Sequence, residues 1–483
     1  MTKTYENLID GEWASSPDSI ENRNPSDIAD LVGCYAQATP DDVSRAVAAA
    51  KQAQPNMRRL PLEERQRALD FIGRELMARS QELGELLSRE EGKPLAEGRG
   101  EVYRAGQFFT YYAAEALRQL GENADSVREG VEIDIRREPM GTVVVISPWN
   151  FPTATASWKI APALAFGNSV IWKPANETPA SAWALAEIIG RSGLPKGAFQ
   201  LLMGSGTKVG DALSAHKDVD AVTFTGSYAV GLKVAQNAAA NLTKFQLELG
   251  SKNALLVMDD ADIDLAVAAA LSGSYSGTGQ KCTASSRLIV HSAVEQEFVS
   301  KLSDRLRTMK VGHALDPATQ MGPVVSERQL QTNLDWIAKA KQSGAELVVG
   351  GDRLELATKG FYMAPALVRA AQADMPFHRE ELFAPFAAVQ TIDSYDAGLA
   401  AVNDTDYGLV AGIFTKSLAK ATHFRRNAET GCVVVNLPTA GTDYHVPFGG
   451  RKNSSFGSRE QGRAAAEFYT QIKTSYIRAG EPV

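Results

Sequence analysis

The sequence predicts an α/β protein in which parallel sheets are covered by helices on both faces. From Gly141 onward, short apolar segments alternate with helix-like segments, and this alternation is typical of parallel sheets that lie between layers of helices. A chain of 483 residues is long enough for about three domains of roughly 150 residues each and for a large buried core.

The first third of the chain is predicted to be mostly helical. Apolar residues recur at helical spacing in Asp41–Gln54 and again from Pro61 to Leu120. Val131–Arg136 then alternates strictly between apolar and polar residues, which indicates an exposed two-stranded ribbon.

Two sets of short apolar strands follow, and they predict two α/β domains with a boundary near Gly250. Thr178 and Pro179 are predicted to be the N-cap and the first residue of one helix. Thr474–Ile477 is predicted to be a late strand that pairs outside both domains. The predicted strands are 141–146, 169–172, 199–203, 221–224 and 245–247 in the first set, with helices at 209–215 and 230–239, and 254–258, 288–290, 386–392, 409–414 and 432–435 in the second.

The composition excludes several classes of protein. Hydrophobic residues make up 44% and charged residues 22%, which is too apolar for a disordered chain. No apolar run approaches the ~20 residues that cross a bilayer, and the 50 basic and 57 acidic residues are spread along the chain with a net charge of −7. We therefore expect neither nucleic acid nor a membrane as a partner.

The cysteines and the N-terminus indicate the cellular compartment. Three cysteines, far apart and odd in number, cannot form a disulfide framework. Residues 1–10 lack the apolar stretch of a signal peptide. These features predict a cytoplasmic protein with reduced thiols.

Two glycine loops follow predicted strands. The first, from Gly204 through Gly206 to Gly210, has the spacing G-x-G-x-x-x-G, one residue longer than the dinucleotide fingerprint. It is either a structural turn or a nucleotide contact. The second loop contains Gly226 and Ser227 and leads into a predicted helix. The free backbone N–H groups at the start of that helix could bind a pyrophosphate. A tight strand-to-helix turn is the alternative.

Cys282 has the surroundings of a nucleophile. It lies in the Gly-rich segment 277–283 and directly follows Lys281. A nearby cation and converging backbone N–H groups lower the pKa of a thiol, and the thiolate is the nucleophilic form. A structural cysteine is the alternative; Cys34 and Cys432, in strand-like apolar segments, are interpreted as packing residues.

Glu248 and Asn150 are further candidates for catalysis. Glu248 lies between two leucines at the end of a predicted strand, where an apolar site would raise its pKa as a general base requires. The side-chain amide of Asn150, at the end of another strand, could donate to an oxyanion. The alternatives are an outward-facing acid and a turn asparagine.

Seven motifs occur in the order and spacing of the aldehyde dehydrogenase superfamily, which the chain resembles over essentially its whole length. They are PWNFP at 148–152, KPA at 173–175, FTGS at 224–227, LELG at 247–250, GQKC at 279–282, ELF at 381–383 and PFGG at 447–450.

The resemblance implies a Rossmann-like NAD(P)-binding domain (1–120 and 140–250), an α/β catalytic domain (251–452) and an oligomerisation ribbon (121–139 and 470–483). It also implies a homo-oligomer, either a dimer or a tetramer.

The family's mechanism implies a role for each candidate. Cys282 would attack the aldehyde carbon, and Asn150 with the backbone N–H of Cys282 would stabilise the oxyanion. Hydride transfer to the nicotinamide would leave a thioester, and Glu248 would activate water to hydrolyse it. The reaction needs no metal.

The resemblance also implies a cofactor site for NADP or NAD. Two positions depart from the common pattern: Asn176 stands where NAD-specific members often have glutamate, and Ala384 replaces a glycine. Because Asn176 does not repel a 2′-phosphate and Lys173 could pair with it, NADP⁺ should be used as well as NAD⁺. The predicted cofactor-binding residues are Trp149, Lys173, Asn176, Gly206, Gly210, Phe224, Gly226, Ser227, Gly231, Leu249, Glu381 and Phe383.

Segments 277–290 and 443–462 are most similar to those of the α-ketoglutaric semialdehyde (2,5-dioxopentanoate) dehydrogenases. A substrate of this kind carries a carboxylate that needs a cation or N–H donors. Lys281 and Arg104 are the candidate cations, and Phe151 and Trp158 the candidate apolar walls. Succinate semialdehyde and simple aliphatic or aromatic aldehydes are the alternative substrates.

Two rival classes of protein fit the sequence less well. A phosphotransferase built on the first glycine loop would need a hydroxyl after Lys208, where Val209 stands. A non-catalytic relative on the same scaffold would be expected to lose the nucleophile or the base, and the chain has Cys282, Glu248 and Asn150.

Overall fold

The structure, a computed structural model, describes residues 3–369, 374–478 and 480. Two large sheets form its framework, and the chain passes from the first to the second between Glu248 and Ala254. The domain ranges 1–120, 251–452 and 470–483 that the resemblance implies each include residues outside the described ones, namely 1–2, 370–373, and 479 with 481–483.

The first large sheet has eight strands, and its five central strands are parallel. Their apolar, largely β-branched residues are buried, as expected for strands covered on both faces. In spatial order the strands are Ser455–Phe456, Lys244–Glu248, Ala221–Thr225, Thr142–Ile146, Ser169–Lys173, Phe199–Leu201, Asn7–Ile9 and Glu12–Ala14.

Helices cover both faces of this sheet. The first helix begins with a capping box, in which Thr39 accepts from the N–H of Asp42 and the Asp42 carboxylate accepts from the N–H of Thr39. The helices of this half are Pro40–Arg59, Leu62–Ala78, Ser80–Glu91, Leu95–Glu115, Ala154–Ala165, Pro179–Gly190, Asp211–Ser214 and Tyr228–Ala239.

The second large sheet has seven strands, parallel except for its first pair. In spatial order they are Glu346–Val349, Ala366–Arg369, Phe386–Ile392, Arg287–His291, Ala254–Val257, Val410–Phe414 and Cys432–Val435. Its helices, together with a short helix before the last strand of the chain, are Ile263–Tyr275, Ser292–Arg307, Glu327–Gln342, Pro376–Arg379, Tyr395–Asn403, Leu418–Asn427 and Ala466–Tyr469.

Three smaller sheets complete the fold. One joins Thr4–Tyr5, Asp27–Gln37 and Asp18–Asn24, and another pairs Tyr407–Gly408 with Arg451–Lys452. The third, the ribbon, is antiparallel and has the order Thr470–Arg478, Val131–Pro139, Glu122–Asp125. It contains the late strand expected at Thr474–Ile477, but it has three strands, so the expectation of a two-stranded ribbon is wrong.

Two local predictions also differ from the structure. Thr178 makes no side-chain cap; the buried carboxylate of Glu90 instead accepts from the N–H groups of Ala180 and Ser181, at 2.8 and 2.7 Å. The helix expected at 209–215 is a π-helical turn, Gly206–Gly210, followed by one short α-helix.

Short 3₁₀ helices occur at Ser276–Gly279 and Gly462–Ala465. Within the residues that the structure describes, no helix is both long enough and apolar enough to cross a membrane.

Candidate active site

Two cavities meet at Cys282. The larger, about 420 Å³, is lined by residues of the helix Leu95–Glu115 and the loop 440–443. The smaller, about 240 Å³, lies at the carboxyl ends of three parallel strands of the first sheet, the position at which open α/β sheets bind ligands. Phe151, Trp158 and Cys282 line both cavities, so the thiol is accessible from either side.

A strained turn brings Cys282 to this junction. Gly277, Thr278 and Gly279 have φ values of 58°, 57° and 67°, a left-handed conformation that is costly for threonine. Two contacts hold the turn: the N–H of Gly277 donates to Glu97 at 3.1 Å, and the hydroxyl of Thr278 donates to the carbonyl of Gly322 at 3.1 Å. A Cβ on Gly279 would lie 2.0 Å from the carbonyl oxygen of Ala384, so only glycine fits there.

Burial raises the pKa of the Cys282 thiol, and the negative charges of Glu381 and Glu248 raise it further. The expectation of a lowered pKa for this thiol is therefore wrong. The Lys281 ammonium donates to the carbonyl of Ser272 at 3.1 Å and to the hydroxyl of Ser276 at 2.5 Å. Burial lowers the pKa of Lys281 to about 8.

Asn150 lies beside the nucleophile's loop. Its buried side-chain amide donates to the carbonyl of Gln280 at 2.9 Å. This bond directs the N–H groups of Asn150 toward the segment that carries Cys282, where an oxyanion would form.

Glu248 ends the strand Lys244–Glu248 and is buried. Burial raises the pKa of its carboxyl well above the ordinary value, and the charge of Glu460 adds to the effect, while a hydrogen bond from Ser455 at 2.8 Å opposes it. Its Oε1 is buried without a hydrogen-bond partner among the described residues. This oxygen lies beside Gly449, and Glu248 lines neither of the two cavities.

The smaller cavity has the chemistry of a nicotinamide ribose site. Gly226 and Ser227 precede the helix Tyr228–Ala239, and Ser227 makes no side-chain cap, so the first N–H groups of the helix are free for a phosphate. The hydroxyl of Thr225 is buried without a partner among the described residues, and the Glu381 carboxylate can accept from ribose hydroxyls. These donors and acceptors fit the cofactor.

Two aromatic rings and one leucine complete the wall of this cavity. The rings of Trp149 and Phe383 meet edge to face, with centroids 5.4 Å apart, and Leu249 lies beside them. Burial raises the pKa of Glu381 to about 7, although the N–H of Ser251 donates to its carboxylate at 2.9 Å.

The structure places the other predicted cofactor residues outside the lining of the two cavities. Phe224 is buried, and a Cβ on Gly226 would lie 2.5 Å from Cζ of its ring. A Cβ on Gly231 would lie 2.4 Å from Cδ2 of Leu249. Phe224 and Gly231 therefore act on the Gly226–Ser227 turn through packing.

The remaining predicted cofactor residues lie at or after the ends of neighbouring strands. Lys173 ends the strand Ser169–Lys173, and burial lowers its pKa to about 8. Asn176 follows it at a half-buried position. Gly210, in the π-helical turn, would place a Cβ 3.9 Å from Cδ of Lys173, and Gly206 of the same turn has open space around it.

The four predicted substrate residues all line the larger cavity. The Arg104 guanidinium lies 5.4 Å from the ring centroid of Tyr444 and makes no hydrogen bond or salt bridge with the residues that the structure describes. Lys281, by contrast, already donates to Ser272 and Ser276. Phe151 and Trp158 form apolar walls together with Phe108 and Phe448.

Sequence reasoning missed two buried ion pairs next to the site. Lys93 pairs with Glu101 at 2.6 Å, and Lys159 pairs with Glu460. A lone lysine in the apolar helix Ala154–Ala165 was a usable signal for the second pair, since a buried lysine needs a partner. Among residues 3–369, 374–478 and 480, no group of three or more His, Cys, Asp or Glu could hold a metal ion.

Comparisons with known proteins agree with this geometry. The model of the aldehyde dehydrogenase family matches residues 13–475. An α-ketoglutaric semialdehyde dehydrogenase of Bacillus subtilis strain 168 is 41% identical over 479 residues, which cover 98% of each protein.

Two solved structures have similar folds. A betaine aldehyde dehydrogenase of Staphylococcus aureus in complex with NAD⁺ has a TM-score of 0.96 and 33% identity, over 99% of this chain and 96% of that one. A 3,6-anhydro-L-galactose dehydrogenase in complex with NADP has a TM-score of 0.95 and 34% identity, over 98% of this chain and all of the other, 100%.

Proposed function

This chain belongs to the aldehyde dehydrogenase family, and we propose that it oxidises 2,5-dioxopentanoate to 2-oxoglutarate. It is an NAD(P)-dependent enzyme that oxidises aldehydes to carboxylic acids. The observation that supports the substrate is Arg104, a cation in the cavity of Cys282 that lies against the Tyr444 ring and makes no hydrogen bond or salt bridge with the described residues. A carboxylate at the far end of the aldehyde would pair with it in bidentate geometry.

The proposed mechanism begins at Cys282. The thiol first releases its proton to solvent, and the thiolate sulfur then forms a bond to the aldehyde carbon while the carbonyl π electrons move to the oxygen. The Asn150 amide and the Cys282 backbone N–H stabilise the resulting oxyanion. A nicotinamide held beside Glu381 and Ser227 would supply the acceptor for the hydride of this carbon. A thioester on Cys282 remains.

Glu248 completes the reaction. Its carboxylate takes a proton from water, the hydroxide forms a bond to the thioester carbon, and the C–S bond breaks to release the acid. The sulfur leaves as a thiolate and recovers a proton, which restores the resting thiol. The raised pKa of Glu248 makes it a stronger base than an exposed glutamate.

We propose that the enzyme uses NADP⁺ or NAD⁺. Glu381 would accept from the nicotinamide ribose, and the backbone N–H of Ser227 with the first N–H groups of its helix would donate to the pyrophosphate. The N–H of Gly226 instead donates to the carbonyl of Glu248 at 3.0 Å and fixes this turn. Asn176 is uncharged, so it does not repel a 2′-phosphate, and Lys173 could attract one.

A second substrate has structural support. Phe151, Trp158, Phe108 and Phe448 line the larger cavity with the acids Glu97 and Asp443, and aromatic rings with acids bind quaternary ammonium groups. Betaine aldehyde is therefore the second candidate, because it carries such a group.

The test is a comparison of kcat/KM for 2,5-dioxopentanoate, succinate semialdehyde, betaine aldehyde, hexanal and benzaldehyde, each with both cofactors. We expect 2,5-dioxopentanoate to be preferred. Arg104→Met should lower kcat/KM for the acidic semialdehydes by roughly 10- to 100-fold, about 1.4–2.8 kcal/mol, and leave hexanal within about twofold. Lys281→Met is the matched control and should affect the acidic substrates much less.

Two results would contradict the proposal. If a neutral aldehyde or betaine aldehyde exceeds both acidic semialdehydes by more than about tenfold, recognition of the carboxylate is wrong. The same conclusion holds if Arg104→Met lowers the activity with hexanal as much as the activity with 2,5-dioxopentanoate.

A further inference from the structure

A buried ion pair lies behind the oxyanion side chain, and no step of the proposed mechanism uses it. The Lys93 ammonium donates to Oε2 of Glu101 at 2.6 Å. The two side chains are 3% and 2% exposed. A buried pair is retained at a desolvation cost, so its geometry calls for an explanation.

Both partners also bind the backbone around Asn150. The Lys93 ammonium donates to the Asn150 carbonyl at 2.5 Å. The other oxygen of Glu101, Oε1, accepts from the N–H groups of Thr153 and Ala154 at 3.0 and 3.1 Å. One ion pair therefore fixes both ends of the segment 150–154.

This segment is irregular backbone, and its side chains form the site. It connects the strand Thr142–Ile146 to the helix Ala154–Ala165. The Asn150 amide is directed to Gln280 beside Cys282, and the Phe151 ring, whose centroid is 4.1 Å from the Lys93 ammonium, lines both cavities. A shift of the backbone here would move the oxyanion donor and the cavity wall together.

The surroundings of Lys93 favour its ammonium form. Burial lowers the pKa of Lys93, but the carboxylates of Glu101 and Glu91 outweigh burial and leave this pKa above its ordinary value. A cation and an anion can make short, directional hydrogen bonds to the backbone that an apolar pair of the same size cannot make.

We propose that Lys93 and Glu101 are positioning residues that fix the Asn150 amide for stabilisation of the oxyanion. The inference rests on the proposed role of Asn150 and is independent of which aldehyde is the substrate. A hydrogen-bond donor stabilises a developing charge most when it is already fixed in place. Loss of the pair should therefore slow turnover through Asn150 and leave cofactor binding unchanged.

The test is a double-mutant cycle on kcat with hexanal as substrate. Lys93→Met with Glu101→Gln removes both charges, so neither is left unpaired, and Glu101→Gln alone is the milder variant. We expect the pair of substitutions to lower kcat about 10- to 100-fold, and Asn150→Ala to lower it about 10²- to 10³-fold. In the Asn150→Ala enzyme the pair of substitutions should then cost less than about twofold, and KM for NAD(P)⁺ should stay within about twofold in every variant.

Glu90→Gln is the matched control. Glu90 is also a buried carboxylate that accepts from two backbone N–H groups at the start of a helix, but that helix, Pro179–Gly190, does not line the two cavities. We expect Glu90→Gln to change Tm without changing kcat. A loss of kcat in proportion to the loss of Tm in all variants, Glu90→Gln included, would overturn the positioning role.

The cycle separates this proposal from the proposed function. If Asn150→Ala is slow and the pair of substitutions lowers kcat by the same factor with and without it, the positioning role is wrong and the oxyanion role of Asn150 stays intact. If Asn150→Ala turns over normally, the oxyanion role is wrong, and the positioning role fails with it.

Discussion

At the scale of single residues, the position of Cys282 at the junction of two cavities distinguishes it from the other two cysteines, which are equally half-buried but line neither cavity. Cys34 lies on the strand Asp27–Gln37 and Cys432 on the strand Cys432–Val435. Cys432 packs against the same small cluster as Cys282, formed by Leu409, Val410 and Phe448. Cys432 is therefore the stricter control for any variant of the nucleophile.

We expect Cys282→Ala to abolish aldehyde oxidation and to leave cofactor binding intact, because only the covalent step is lost. Cys34→Ala and Cys432→Ala should keep substantial activity. Formation of NAD(P)H, followed by absorbance, and binding of NAD(P)⁺, followed by quenching of tryptophan fluorescence, are the measurements. Near-normal turnover by Cys282→Ala would show that the thiohemiacetal mechanism is wrong.

The raised pKa of Glu248 leads to an expectation for how kcat depends on pH. Burial and the charge of Glu460 raise the pKa of its carboxyl, and only the ionised form can take a proton from water. We therefore expect kcat to fall as the pH falls through this raised pKa. In Glu248→Gln, hydrolysis of the thioester should be slow, with a burst of NAD(P)H before the steady state, and this acidic limb should disappear. If Glu248→Gln shows the same fall of kcat at low pH, the fall is due to another titrating group.

At the scale of elements, the helix Ala154–Ala165 connects the site to the first large sheet. It begins at the Asn150 segment, carries Trp158 into both cavities and buries Lys159 against Glu460. The Lys159 ammonium also donates to the hydroxyl of Thr223 at 2.8 Å, on a central strand of the sheet. The orientation of this helix therefore depends on one buried charge.

We expect Lys159→Met to lower the free energy of unfolding by ~3–5 kcal/mol, since it leaves the carboxylate of Glu460 buried without its cation. Adding Glu460→Gln should restore part of this loss, because the unpaired charge is then removed. Denaturant unfolding of the two variants measures the effect. Equal stability of the single and double variants would contradict the argument.

At the scale of the whole molecule, the ribbon exposes several large apolar side chains on one strand. On the strand Thr470–Arg478, Ile472 and Tyr476 lie on one face and are 62% and 60% exposed. Large apolar side chains that share an exposed face are typical of an interface. We propose that two copies of the chain meet here, as the resemblance implies.

We expect Ile472→Asp combined with Tyr476→Asp to lower the oligomer mass in light scattering and to leave the circular dichroism of each subunit unchanged. Leu418→Asp is the control, since Leu418 is also apolar and is 82% exposed, but begins a helix of the second sheet. An unchanged mass would place the interface elsewhere. The boundary near Gly250 and the domain ranges that the resemblance implies stay predictions.

Local sequence determined the elements and the chemistry of the nucleophile. Val143, Val144 and Val145 predict a strand buried on both faces, because their side chains fit a pleated apolar environment. The types of Cys282, Glu248 and Asn150 limit the reactions that they can perform. These properties depend on a residue and its near neighbours in the chain, so they are visible without the fold.

Tertiary structure alone decided which buried groups meet. Three hydrogen bonds between side chains and the backbone are examples. Lys281 donates to the Ser272 carbonyl, Glu90 instead of Thr178 accepts from the N–H groups at the start of a helix, and Lys93 donates to the Asn150 carbonyl, 57 residues away. A buried polar group must find a partner, but its sequence position does not specify which one. The partner is decided by the packing of the helices against the sheets, since packing sets the few atoms within reach.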